Sequence, residues 1–310
     1  MNFDIATHTI LRVRHGSHAY GLNTPTSDLD IKGVAVPPRA LFLGFAHVFE
    51  QYERLASKGH DADEVIYDVR KFCRLAIDCN PNIIEVLHVV DEDVLVSTPL
   101  GDMLRERRDE FVSKRARHAF SGYAIAQLKR IRTHRKWLLD PPCAPPDRAA
   151  FGLPSDRKPI NASEMGAYDA LAREGYEFAP GVLEVLEREK RYQNESRHWQ
   201  QYQQWKASRN PARAELEARH GYDTKHAMHL VRLLRMCEEI LDGRGVLTRR
   251  PDRDELLAVR NGAWPYDALI EWAEAQDAKC AALYETSTLR HHPDVEAIDR
   301  LCIEIVERSS

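Results

Sequence analysis

The run His15-Gly16-Ser17-His18-Ala19-Tyr20-Gly21-Leu22-Asn23-Thr24-Pro25-Thr26-Ser27-Asp28-Leu29-Asp30-Ile31-Lys32-Gly33 constrains this chain more than any other stretch. Thr9 to Arg14 reads as a strand, Gly16-Ser17 as the turn after it, and residues near 28–36 as the next strand. Alternate residues of a strand share a face, so Asp28 and Asp30 project together while Leu29 and Ile31 turn to the core. Two carboxylates so placed repel each other unless a cation lies between them. Hard oxygen ligands suit Mg²⁺ or Mn²⁺, and Mg²⁺ commonly bridges a couple of carboxylates to phosphate. Gly16-Ser17 lets the backbone approach a phosphate closely, N–H groups toward the anion. Two solvated aspartates at a strand end would give the same Asp-x-Asp. The Gly-Ser turn, the Thr24-Pro25-Thr26-Ser27 lead-in and Gly33 weigh for the metal.

The pattern Gly-Ser, ten residues, then Asp-x-Asp resembles the DNA polymerase β-type nucleotidyltransferase superfamily. The fuller form Gly-Ser-x-Ala-Tyr-Gly-Leu-x-Thr-Pro-x-Ser-Asp-x-Asp resembles its RNA-repair-associated branch, the RlaP-like and YcgL-like proteins. Two further blocks fit that branch. One is Tyr67-Asp68-Val69-Arg70-Lys71-Phe72-Cys73-Arg74-Leu75-Ala76 running into Asn80-Pro81-Asn82-Ile83-Ile84-Glu85-Val86-Leu87; the other is Lys225-His226-Ala227-Met228-His229-Leu230-Val231-Arg232-Leu233-Leu234. The resemblance thus spans most of the chain. It implies transfer of a nucleoside monophosphate from an NTP to an acceptor hydroxyl, with two Mg²⁺ (or Mn²⁺) ions. Asp28 and Asp30 would hold them, and Gly16 and Ser17 would contact the phosphates.

The superfamily also uses a third carboxylate on a neighbouring strand, to be sought between His60 and Asp68. The resemblance favours Asp63, four residues before Tyr67, as the third catalytic and metal-binding acid. Asp68 falls on the opposite face by parity and precedes an apolar helix, where capping explains it. Asp61, Asp68 and Glu64 stay open as alternatives.

At 310 residues the chain has room for about two domains, and its 43% hydrophobic and 30% charged residues are ordinary for a globular protein. No apolar run reaches the roughly 18–20 residues of a membrane span, and Met1-Asn2-Phe3-Asp4 lacks a basic, apolar leader. We therefore expect a cytoplasmic protein. Six scattered cysteines without a Cys-x-x-Cys pair argue for reduced thiols and against zinc.

A net charge of −4 disfavours indiscriminate nucleic-acid binding, yet Phe111 to Leu139 holds no acid and eight lysines and arginines. Phe120, Tyr123, Ile125, Leu128, Ile131 and Leu138 give this segment one apolar helical face. Its basic side is either a solvated surface or a positive wall for polynucleotide, in which Lys129, Arg132 and Arg135 would contact the acceptor.

Residues 1–100 alternate strand and helix patterns, with a further strand through Val94-Leu95-Val96; Asn80-Pro81 reads as the end of a helix. Beyond about 100, helix formers dominate. The expected fold is α+β: a small mixed-sheet, polymerase-β-like nucleotidyltransferase head (1–105) and a larger helical part (106–310) completing the cleft. On a helix opening near Asp223-Thr224, Lys225, His229 and Arg232 fall at i, i+4 and i+7. That stripe is a natural cradle for nucleotide phosphates, because an ammonium and a guanidinium bind them in complementary ways. An exposed basic stripe is the alternative. Trp199, Tyr202 and Trp205 could stack bases, though aromatic residues at helical spacing more often pack in a core. The expected partners are an NTP and an RNA end, with no membrane; a protein or small-molecule acceptor, or a non-catalytic binding module, are the competing readings.

Overall fold

The computed structural model describes residues 3–25, 27–56 and 62–309. Its centre is a mixed five-stranded sheet of β1 (Thr9–His15), β2 (Asp30–Ala35), β3 (Gln51–Arg54), β4 (Asp63–Asp68) and β5 (Val94–Ser97). The order is β3-β4-β2-β1-β5. Only β2 and β4 run parallel; β1 pairs antiparallel with β2 and β5, and β3 with β4. The apolar alternation of β1 places Leu11 and Val13 fully in the core. Helices Val69–Ile77 and Pro81–Leu87 pack on the sheet, and helix Pro99–Glu106 lies against β1 and β5. The remainder of the chain is predominantly helical, so the fold is the expected α+β class.

The strand expected near 28–36 starts at Asp30, leaving Asp28 just before it. β3 has no sequence signature, because Gln51-Tyr52-Glu53-Arg54 is polar and lies at the sheet edge beside β4 only. Asn80 closes one helix and begins the next: its N–H donates to the Leu75 carbonyl at 3.2 Å, its side chain accepts from the Asn82 N–H, and Pro81 occupies the first turn, where its missing N–H costs nothing.

The chain divides into two compact units, residues 1–131 with 223–310, and residues 132–222. The expected partition at 105/106 follows chain order. The units do not, because helix Val295–Arg308 packs against helices Val69–Ile77 and Pro99–Glu106. Helix Arg115–Leu139 contributes residues to both units. Within 132–222, Tyr202 is buried, and Trp199, Tyr202 and Trp205 form an aromatic cluster in which Trp137 contacts both Tyr202 and Trp205. The Trp137 indole donates to His198 Nε2 at 2.8 Å. Tyr202 and Trp137 are packed inside, while Trp199 and Trp205 are half-buried. Among the described residues, no helix is long and apolar enough to cross a membrane.

Candidate active site

The site grows from the edge where β1 ends and β2 and β4 begin. Asp30 pairs with His15 across β1 and with Asp63 across β4, so the side chains of Asp30 and Asp63 emerge side by side on one face. The Asp63 N–H donates to the Leu29 carbonyl at 3.0 Å, tying β4 to the chain between Asp28 and Asp30. Asp28 follows a turn stapled by the Ser27 hydroxyl, which accepts from the Thr24 N–H at 2.8 Å. Asp28 is exposed, whereas Asp30 and Asp63 are half-buried.

The crowding has an electrostatic consequence. Burial first, then the charge of Asp63, push the Asp30 carboxyl above its usual range, with a smaller push from Asp28; Lys32 and Lys225 pull it back down. A carboxylate destabilised by two others, with hard oxygens converging, is a donor set that fits Mg²⁺ or Mn²⁺.

Gly16 lies directly beneath Asp30. A β-carbon at position 16 would sit 2.1 Å from Asp30 Oδ2, and φ there is +60°, so both space and backbone disfavour other residues. Gly16 and Ser17 open a single helical turn ending at Ala19.

The other candidates for the third acid separate cleanly. Glu64 is buried on the opposite face between Arg12 (2.6 Å) and Arg54 (2.9 Å). Asp68 is buried at the far end of β4, accepting from the N–H groups of Arg70 and Lys71 as a helix cap. Asp61 lies outside the described residues. Asp63 alone of the described candidates stands beside Asp30, with Oδ1 accepting from the Ala56 N–H at 2.7 Å. Asp63→Asn is accordingly expected to lower turnover by about 10²-fold or more, and Asp68→Ala to cost about 1 kcal/mol of stability as a lost cap. Parallel turnover and urea-melt measurements check this; an inactive, fully stable Asp68 variant would contradict it.

The Lys225, His229, Arg232 stripe is graded from water to core: Lys225 is exposed, His229 half-buried and Arg232 buried. Lys225 is within electrostatic reach of Asp30. Arg232 corrects the expectation of a phosphate ligand. Its Nη1 donates to Glu85 Oε1 at 2.6 Å, and its guanidinium lies 3.8 Å from the centre of the Tyr20 ring. The Tyr20 hydroxyl donates to the other Glu85 oxygen, and His15 Nε2 lies 3.5 Å from it. Burial, then the charges of Lys32 and Arg232, hold the His15 imidazole well below its usual range, so it is neutral. This buried group supports the site from below.

Lys32 lies within the opening run, past its Asp-x-Asp, and is not among the residues expected at the site. Two residues beyond Asp30, it shares that face, and its Nζ donates to the Asn82 carbonyl at 2.8 Å. Burial lowers its pKa to about 8, against the opposing pull of Glu85 and Asp30. The period-two rule that pairs Asp28 with Asp30 is the signal that points to it.

The acid-free segment 111–139 is less open than its charge indicates. Arg115 pairs with Asp78, Arg117 with Asp277, and Lys114 lies over the Tyr284 ring. Of the three expected acceptor contacts, Lys129 and Arg132 are exposed, while Arg135 is half-buried and donates to the Gly221 carbonyl at 3.1 Å.

Residues 4–138 match the family model described as "RNA repair pathway DNA polymerase beta family", RlaP. Over residues 4–138 the chain is thus similar to that polymerase β-type, RNA-repair-associated family. The matched segment contains Gly16, Ser17, Asp28, Asp30 and Asp63 but not the block at 225–234, so the resemblance read from sequence extends beyond it. The chain is also 29% identical over 130 residues to an uncharacterized 38.9 kDa protein of the nrdC-mobD intergenic region of Enterobacteria phage T4. That alignment covers 39% of this chain and 38% of the phage protein. No solved structure matches the chain.

Proposed function

We propose that the chain is a Mg²⁺-dependent nucleotidyltransferase that moves a nucleoside monophosphate from an NTP to the hydroxyl of an RNA end. The observation that carries this reading is the in-register pairing of Asp30 with Asp63, with Asp28 just before the strand and Gly16 beneath Asp30. The polymerase β-type match over the same residues supports it.

In this reading Asp28, Asp30 and Asp63 hold two Mg²⁺ (or Mn²⁺) ions. Such ions, when bound, neutralise phosphate charge and lower the pKa of an attacking hydroxyl. Gly16 and Ser17 give the triphosphate a close backbone approach, and Lys225, His229 and Lys32 offset its negative charge. Most of the rate enhancement then comes from alignment of acceptor, α-phosphorus and leaving pyrophosphate. Arg232 acts through Tyr20 and Glu85, holding the floor of the site without touching the nucleotide.

For the acceptor we place RNA on the exposed basic side of the 115–139 helix. Lys129→Ala, Arg132→Ala and Arg135→Ala together should weaken RNA binding and reduce the slope of log K against log salt by about two units, roughly one for each phosphate no longer neutralised. Two units are expected from three side chains because Arg135 already serves Gly221. Titration of RNA over a salt series measures the slope, and NTP binding should be nearly unchanged. An RNA affinity and slope equal to the parent's would shift the acceptor to a protein or a small molecule.

A further inference from the structure

The turn that carries Gly16 and Ser17 is held from outside the family-matched segment. Arg249 Nη1 donates to the His18 carbonyl at 3.3 Å, and Arg253 Nε to the Gly21 carbonyl at 2.6 Å. Between them, the backbone N–H of Arg250 donates to the Tyr20 carbonyl at 3.1 Å. Arg260 reaches the Leu22 carbonyl at 3.5 Å. Four carbonyls within five residues thus accept from one short segment of chain.

That segment is itself anchored. The Arg250 guanidinium is wholly buried and donates to both oxygens of Glu239, on the Thr224–Leu241 helix, and to Asp252. Arg249 is fixed by a 2.7 Å ion pair with the nearly buried Asp93. The fit against the turn is close: Gly21 has φ +69°, and a β-carbon there would lie 3.2 Å from the Arg249 side chain. Arg249 and Arg253 nevertheless keep 45% and 49% of their side-chain surface in solvent. Replacing either therefore removes little core packing.

We propose that Arg249 and Arg253 are positioning residues for the Gly16-Ser17 turn, a role that rests on the nucleotidyl-transfer reading of the site. Bonds from both arginines to the carbonyls of His18 and Gly21 fix the turn beneath Asp30. A displacement of about 1 Å at such a turn costs about 10²-fold in rate, because alignment is the main catalytic contribution.

The test is Arg249→Gln, Arg253→Gln, the double variant and Arg253→Lys in the full chain, read by hydrogen exchange without nucleotide and by NTP turnover. In the double variant the amides of residues 17–22 should exchange about tenfold faster, with β1 and β2 amides unchanged. Transfer kcat/KM should fall by about 10²-fold, and Arg253→Lys should recover only part, since it lacks the guanidinium fork. Unchanged exchange in the turn overturns the proposal. So does faster exchange with parental kcat/KM, or a uniform rise across the sheet, which would mark a merely structural role. Failure of the underlying reading is distinct, because it is seen in the parent alone as absence of NTP binding and turnover.

Discussion

Asp30→Asn should abolish nucleotidyl transfer and leave the metal-free protein at least as stable as the parent. Loss of a metal-binding carboxylate removes several kcal/mol of transition-state stabilisation, or about 10³-fold in rate. The stability sign follows from the site. Burial and the neighbouring Asp63 make the Asp30 charge unfavourable in the absence of metal, outweighing the pull of Lys32 and Lys225. A neutral amide of the same shape relieves that cost. Asp28→Ala should be equally inactive with little change in stability, since Asp28 is exposed. Turnover at matched Mg²⁺ and NTP, with thermal melts in chelator, measures both. Parental turnover in either variant would exclude the metal site, and unfolding of Asp30→Asn would show the residue to be structural.

Arg232→Ala should act on the fold, at a cost of about 3–5 kcal/mol, by stranding Glu85 as an unpaired buried carboxylate. Arg232 and Glu85 side chains are 7% and 1% exposed, and Tyr20 and His15 converge on the same carboxylate. Pairing Arg232→Met with Glu85→Gln should recover much of that loss, because well-packed neutral side chains commonly replace a buried ion pair without penalty. Urea unfolding of the two variants decides the point. A stable Arg232→Ala protein with only a raised KM for NTP would restore Arg232 as a phosphate ligand.

The part of the site legible in sequence is the part governed by strand periodicity. Alternation along a strand is a local rule that groups Asp28 with Asp30 and sets Asp68 apart from Asp63, whereas the choice of Asp63 comes from the family resemblance. Burial follows tertiary packing and has no such local rule. Lys225, His229 and Arg232 satisfy the same helical spacing, yet their surroundings run from water to a sealed carboxylate partner 147 positions away in the chain. Arg249 and Arg253 escape pattern reading for a related reason: they bond to backbone carbonyls, which leave no residue-type signature. The division of the chain escapes it because helix Val295–Arg308 returns to helices Val69–Ile77 and Pro99–Glu106, whereas a linear reading splits the chain where composition changes.

Incubation of the parent protein with Mg²⁺, α-labelled NTPs and either total RNA or protein lysate tests the central claim most directly, with Asp28→Ala as control. The expected result is Mg²⁺-dependent label on RNA with release of pyrophosphate, and neither with the variant. Label on protein would keep the transferase and replace its acceptor. No transfer to any acceptor, or transfer that survives Asp28→Ala, would contradict a nucleotidyltransferase built on these acids.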